Sequence, residues 1–301
     1  MIGMSTTAAY VGDVHPILFV GCPMWAHRPW VGRSLPTDTV SGRELHAYSR
    51  LLNAVEGNTT FYASPTPASV RRWADQADPG FRFVFKVPRT ITHDRRLRDV
   101  DHLLTSFLTL LEPLAPVIGA LTFQLPASFA PIDLPVLDSL LGQLPRDPWR
   151  WSVELRHPAF FEFPDRDIAD ALLGRHSVER VLLDSRPLYA RPPMSEAGRQ
   201  TWGKKPRIPA LTDAITDEPI VRIIGSDHPD VTMAGLRDWH PIVADWLRDG
   251  RYPTVFVHTP DNLDAPDLAR GFHDAVRQLV PNLAPLPDPL PVGTAEQGSL
   301  F

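Results

Sequence analysis

Nine polar side chains recur at or just beyond the ends of short apolar runs: Glu56, Asn58, Lys86, Gln124, Glu154, Arg156, Asp184, Arg222 and His258. Glu56 and Glu154 are distant in sequence, yet a pair of carboxylates at strand ends can act as general acid and base or hold a divalent cation. Lys86, Arg156 and Arg222 can neutralise those carboxylates or grip a phosphate, and internal ion pairing explains any single one of them as readily as catalysis does. Catalytic roles are expected for Glu56, Glu154, Asp184 and Lys86. Contacts to substrate are expected from Trp25, Asn58, Tyr62, His93, Gln124, Arg156, His157, Arg222 and His258. A strand-end lysine can form imines when desolvated, but adjacent carboxylates would keep Lys86 charged, which argues against that chemistry. Glu56, His93, Glu154, Asp184 and His258 offer mixed oxygen and nitrogen donors to a metal. No His-x-His or Glu-x-x-His spacing accompanies them, so a divalent metal is weakly indicated and the cofactor stays unassigned. Cys22, beside Pro23, reads as a small buried hydrophobe rather than a thiolate nucleophile. Trp25, Trp30, Phe61 and Tyr62 follow the first two runs, placed either to stack on a base or sugar ring or to pack loops together.

Positioning such a ring needs eight elements that end on one side. Eight β-rich runs occur at 17–22, 54–58, 83–87, 120–124, 151–156, 180–184, 220–224 and 254–258. Each is short and apolar, as strands of a covered parallel sheet are. Helical patterns lie between most of them. Ser41 with Glu44 forms a capping-box sequence, and Thr66-Pro67 gives an N-cap with proline at the first helical position. Asp133, Asp165, Thr232 and Asp264 are further candidate N-caps, and Pro241 should kink or split the helix after Thr232. Alternating strands and helices imply a parallel sheet, and eight units in this length fit a closed (β/α)₈ TIM barrel. A doubly wound sheet is the alternative, but no Gly-rich turn follows the first run. Because side chains alternate along a strand, Ser152, Glu154 and Arg156 share one face and Trp151, Val153 and Leu155 the other. The polar set then faces the barrel mouth.

The motifs Val-Gly-Cys-Pro-Met-Trp (20–25), Val-Glu-Gly-Asn-Thr-Thr-Phe-Tyr (55–62), Phe-Arg-Phe-Val-Phe-Lys-Val-Pro-Arg (81–89), Phe-Gln-Leu-Pro (123–126) and Val-Glu-Leu-Arg-His-Pro (153–158) resemble the YecE-like family, domain of unknown function 72. The resemblance spans roughly residues 17 to 280 and implies a TIM barrel, with no settled activity. Two places depart from the family pattern. Where the seventh strand commonly reads Arg-Leu-His-Gly, this chain has Arg222-Ile-Ile-Gly225. A Phe-Asn-Asn motif near the eighth strand is replaced by His258-Thr-Pro-Asp-Asn262. The missing histidine has His228 or His258 as possible substitutes.

The chain has 301 residues, is 43% hydrophobic and 22% charged, and carries a formal charge of -5, which excludes a generally basic nucleic-acid coat. Its one cysteine excludes an internal disulfide and suits a reducing compartment. With no apolar stretch near the roughly 18 residues of a membrane span and no signal peptide, cytoplasmic residence is expected. Three segments are expected: a flexible start (1–15), one barrel (16–280) and a disordered, Pro-rich tail (281–301). The connection 185–219 is the longest without an evident element, and between Arg186 and Arg207 it holds six Lys or Arg residues against Glu196. Such a loop is either a lid that meets a phosphate-bearing partner or a solvated surface. The last five residues, with Gln297, Leu300 and Phe301, resemble peptides that dock on the replication sliding clamp, Gly298 being a departure. The ring, loop and tail together point to a hydrolase or lyase acting on a phosphate-containing substrate, plausibly nucleic acid in repair or processing. A carbohydrate-active or sugar-isomerising barrel, and a non-catalytic nucleic-acid or clamp-associated binding module, are the other readings.

Overall fold

In the computed structural model, which describes residues 15–293, the eight runs become eight strands. They are β1 (Phe19–Cys22), β2 (Ala54–Gly57), β3 (Arg82–Lys86), β4 (Ile118–Gln124), β5 (Trp151–Glu154), β6 (Glu179–Asp184), β7 (Ile220–Ile224) and β8 (Thr254–His258). Each pairs in parallel with the next, and β8 pairs with β1, so the sheet closes in chain order as a (β/α)₈ TIM barrel. Among the described residues no helix is long and apolar enough to cross a membrane.

The helix Pro67–Gln76 starts as its sequence dictates: the Thr66 hydroxyl accepts the Ser69 N–H and Pro67 needs no partner. The capping box at Ser41 does not form. Its helix begins at Glu44 behind Arg43, and the Glu44 carboxylate accepts from Gly42 N–H instead. Asp133 and Asp264 do precede helices, without capping them through the side chain, whereas Asp165 is already inside the helix Asp165–Arg175. Thr232 is no cap either. The helix Pro229–Arg248 starts three residues earlier and runs unbroken through Pro241, while the Thr232 hydroxyl bonds Ser226. The 185–219 connection contains two helices, Arg186–Tyr189 and Glu196–Lys204. Beyond the helix Ala265–Leu279, proline keeps residues 281–293 free of helix and strand, yet Leu283 and Leu286 are buried on the main core. Gln297, Leu300 and Phe301 lie outside the described residues.

The lumen is layered. Phe19, Ala54, Val84, Ala120, Val181, Ile220 and Phe256 form an apolar plug across its middle. One pleat further along β2, β3, β4, β7 and β8 the inward residues turn polar, as Glu56, Lys86, Thr122, Arg222 and His258, and this change of layer defines the candidate site. The outward faces of the strands pack under the helices as the main core.

Candidate functional site

Strand register decides which side chains reach the lumen, because partners across a parallel pair share a face. Lys86 pairs with Thr122, Gln124 with Glu154, Arg222 with both Leu183 and the plug residue Phe256, and His258 with Ile224. These side chains point inward. Asp184 pairs with Ile223 instead, on the outward face. Its carboxylate is fully buried under the helix layer, accepting from Trp239 Nε1 at 2.9 Å and from Arg186 Nη2 at 2.7 Å. The expected place of Asp184 in the ring is therefore wrong, because β6 turns its last residue outward and offers Leu183 to the mouth.

At the centre of the ring, Arg222 bridges the two glutamates. Its Nη1 donates to Glu154 Oε2 at 2.6 Å and its Nη2 to Glu56 Oε2 at 3.1 Å; Nε is in ion-pair contact with Glu56 Oε1 without hydrogen-bond alignment. Arg156, just beyond β5, closes the second flank of Glu154 with its Nε 2.6 Å from Oε1. Asn58 donates to Glu56 Oε2 at 2.8 Å and to the Pro23 carbonyl at 2.9 Å. Lys86 Nζ donates to Gln124 Oε1 at 2.7 Å and lies 3.8 Å from Glu56 Oε2. His258 Nε2 lies 3.5 Å from Glu56 Oε2. Glu56, Lys86, Gln124, Glu154, Arg222 and His258 are all buried.

Burial would raise the pKa of Glu56, but Arg222, Lys86 and the Asn58 amide outweigh it and hold the carboxyl at about 2. Glu154 is driven further in the same direction, burial being overcome by Arg156 and Arg222. For His258, burial followed by Arg222, Lys205 and Lys86 pushes the imidazole well below its ordinary range, so it is neutral at neutral pH. Lys86 is lowered to about 7, first by burial and then by Arg222, against a smaller pull from the two glutamates. Burial is the largest cause, so the two glutamates, already engaged by Arg222 and Arg156, do not hold this lysine at its ordinary value.

One member of the site escaped the sequence reading. Lys205 belongs to no strand, yet its ammonium feels the fields of Arg222, Glu56, Arg156 and Glu154, and burial with Arg222 lowers it to about 8. The 185–219 connection brings it there. Ile208 packs with Leu183, Leu188 and Ile224 over the mouth. The Ser185 hydroxyl donates to the Pro206 carbonyl at 2.8 Å, and the Tyr189 hydroxyl to the carbonyls of Lys205 and, at 2.9 Å, Trp202. Glu179 anchors the far end of the connection through Ile215 N–H and the Thr216 N–H and hydroxyl. The signal available in the sequence was scarcity: of 30 Lys and Arg residues only Lys86, Lys204 and Lys205 are lysines.

Other expected members fall outside the ring. Trp25 packs edge-on to Trp73 and Phe83 in the outer core, since Phe83 is on the outward face of β3. His157 caps a short helix, its Nδ1 accepting from Ala159 N–H. Tyr62 is exposed and meets Phe61 edge-on. His93 is nearer the site: it stands edge-on to Phe61, half-buried, and burial followed by Arg156 lowers its pKa. Trp30 is wholly buried and donates to the Asn262 carbonyl. Cys22 is buried, and burial drives its thiol well above the ordinary range, as its structural reading requires. No group of three or more His, Cys, Asp or Glu side chains among the described residues is arranged to hold a metal ion. Of the candidate substitutes for the missing histidine, His258 is in the lumen, whereas His228 Nε2 is bonded to the Pro192 carbonyl outside it.

A cavity of about 750 Å³ opens at the other end of the barrel below the apolar plug. Among its lining charges, Arg82 and Arg150 share Glu218, and Arg175 and His176 share Asp138. Active sites of TIM-barrel enzymes lie at the strands' C-terminal ends, where the ring of Glu56, Glu154 and Arg222 stands.

Known proteins carry the same fold. The chain is 38% identical over 286 residues to the UPF0759 protein YecE of Escherichia coli strain K12, covering 95% of this chain and 100% of that one, and equally so to its counterpart in strain O157:H7. The crystal structure of a DUF72 family protein from Enterococcus faecalis V583 superposes with a TM-score of 0.64 at 15% identity, over 89% of this chain and 98% of that one, which speaks for the fold alone. The family described as "Protein of unknown function DUF72" matches residues 19–291, and the chain belongs to it.

Proposed function

We propose that this protein is an enzyme, a hydrolase or lyase whose barrel mouth takes a small phosphate-bearing substrate. One observation carries the reading: around the buried carboxylates of Glu56 and Glu154 stand four cationic side chains, Lys86, Arg156, Lys205 and Arg222. The two arginines balance the two glutamates, which leaves surplus the Lys205 ammonium and the protonated fraction of Lys86. Surplus positive charge in a desolvated site is relieved by an anion. Arg222 is therefore a positioning residue for the carboxylates, and the substrate's anion falls to Lys205, with Arg156 at the rim.

A glycosidase-like pair draws less support, because it needs one protonated carboxyl and both carboxyls are held well below their ordinary range. Nucleic acid as substrate also draws less support. Arg186 pairs with Asp184, Arg191 with Asp230 at 2.9 Å and Arg199 with Glu196, so the basic loop presents few free charges. The terminal residues Gln297, Leu300 and Phe301 remain a separate proposal of sliding-clamp docking, to be tested by deleting them and measuring clamp binding; no binding by the intact chain ends it.

The test of the anion site is thermal unfolding in inorganic phosphate against chloride at equal ionic strength. Phosphate should stabilise the protein, by about 2.7 kcal/mol at a hundred times its Kd. The effect should fade as pH rises past about 8 and Lys205 loses its proton. Lys205→Met should abolish most of it. Equal stability in both salts at neutral pH would defeat the proposal.

A further inference from the structure

We propose that Nζ of Lys86 is a nucleophilic amine that forms an imine with the carbonyl group of a small substrate carrying a phosphate or a carboxylate. The inference rests on the anion site proposed above and deepens it, placing the enzyme on the lyase side.

Composition supplies the first ground. This chain meets its need for positive charge almost entirely with arginine: three lysines stand among 30 Lys and Arg residues, and two of the three are at the mouth. Arginine serves as well as lysine, or better, where only a buried charge or an anion contact is wanted. It cannot lose a proton or act as an amine nucleophile. Lysine kept at the end of β3, in a chain otherwise so rich in arginine, fits a demand for amine chemistry.

Geometry supplies the second. Lys86 is buried at the inward-facing end of β3, and its Nζ has one close partner, Gln124 Oε1 at 2.7 Å, with Glu56 Oε2 at 3.8 Å. Both are acceptors, and neither consumes the lone pair of a neutral amine. The glutamates that would hold it protonated are engaged by Arg222 and Arg156. Burial and Arg222 then bring the amine to about 7, so about half of it is neutral at neutral pH, against about one part in three thousand for an ordinary lysine.

In the step itself, the Nζ lone pair bonds to the carbonyl carbon and the C=O π pair moves onto oxygen. One amine proton passes to that oxygen, giving a carbinolamine. The nitrogen lone pair then expels the oxygen as water, with its second proton from an acid, and an iminium remains. The Lys205 ammonium is the acid present in the mouth, and it faces the same glutamates and arginines. His258, neutral beside Glu56, is placed to take a proton from the carbon next to the iminium.

The full-length protein is incubated at neutral pH with sodium cyanoborohydride and, in separate arms, glycolaldehyde phosphate, pyruvate or acetaldehyde, then peptide-mapped by mass spectrometry. With three lysines in the chain the modified site is unambiguous. The expected result is a reduced adduct on Lys86 with an anionic probe, at least about tenfold faster than on the exposed Lys204 and than on Lys86 with acetaldehyde. The faster anionic arm tells phosphate from carboxylate. Lys86→Arg should lose the adduct, and Lys205→Arg should slow it. Labelling of Lys86 no faster than Lys204, or equally fast with acetaldehyde, overturns the inference. Phosphate stabilisation that persists without labelling would remove the imine and leave the anion site standing, so the two failures are separable.

Discussion

Replacing Arg222 by Met tests the electrostatic logic of the site most directly. Two charge-assisted hydrogen bonds disappear, to Glu154 Oε2 and Glu56 Oε2, each worth about 1.5–3 kcal/mol. Glu154 keeps Arg156, so the orphaned carboxylate is Glu56. Lys86, freed from its strongest cationic neighbour, regains its proton and repays part of the loss. A net cost of about 3 kcal/mol at neutral pH follows, at the low end for an uncompensated buried charge. The pH dependence is more diagnostic than the size. Glu56 has a folded pKa of about 2 against 4.5 unfolded, so its contribution is complete above 4.5 and is lost as pH falls towards 2. The gap between the two proteins should therefore close in acid. Lys86 acts on the alkaline side: between about 7 and 10.5 the unfolded chain holds a proton there that the native chain has lost. Native stability rises through that window by up to about 1.4 kcal/mol per pH unit. In the variant this rise should flatten, so the gap should widen above pH 7. Urea denaturation of both proteins across this range, fitted with a shared slope, gives the comparison. A gap that is constant with pH, or smaller than about 1 kcal/mol at pH 7, would refute the assignment of Arg222 as the group that holds the glutamates charged and lowers the pKa of Lys86.

Asp184→Asn should destabilise the fold by about 1–3 kcal/mol through its bonds to Trp239 and Arg186, while phosphate stabilisation is unchanged; loss of phosphate binding with the fold intact would return Asp184 to the site. A side chain at Gly21 would place its Cβ 2.1 Å from the Ala54 carbonyl oxygen of β2, so Gly21→Ala should cost more than about 3 kcal/mol or prevent soluble expression. Thr66→Ala, which removes the one N-cap that formed as the sequence dictated, should cost about 1 kcal/mol in chemical denaturation with no effect on phosphate binding.

The barrel was legible because its signal is redundant: eight apolar runs separated by helical patterns admit few closures, and family motifs fall on five of the strand regions. The site was legible only as far as strand parity reaches. Parity worked wherever the strand end could be fixed, as for Glu154 opposite Gln124. At Asp184 it failed, since placing a residue near a run's end does not say which of two adjacent residues turns inward, and an outward carboxylate is hard to foresee until Trp239 is seen to donate to it. Trp25 failed for a related reason. An aromatic residue after a strand is as readily claimed by the outer core as by a ligand, and here Trp73 and Phe83 claim it. Lys205 illustrates the other limit, because a loop's path depends on contacts far from it in sequence, such as Ile208 with Ile224.

That last contact ties together two features that look unrelated in sequence. Residue 224, which the family resemblance matches to a histidine, faces inward at the mouth in register with His258. Ile224 makes that position apolar, and Ile208, Leu188 and Leu183 gather on it. The cluster seats the stretch that begins at Lys205, three residues before Ile208. With histidine at 224 the same stretch would lose an apolar seat and gain a polar neighbour needing a partner. The substitution therefore removes an imidazole from the mouth and supports the delivery of an ammonium to it, while His258 keeps a neutral imidazole beside Glu56. In the proposed enzyme, proton transfer at the mouth falls to His258 and Lys205, with Arg222 left to fix the carboxylates.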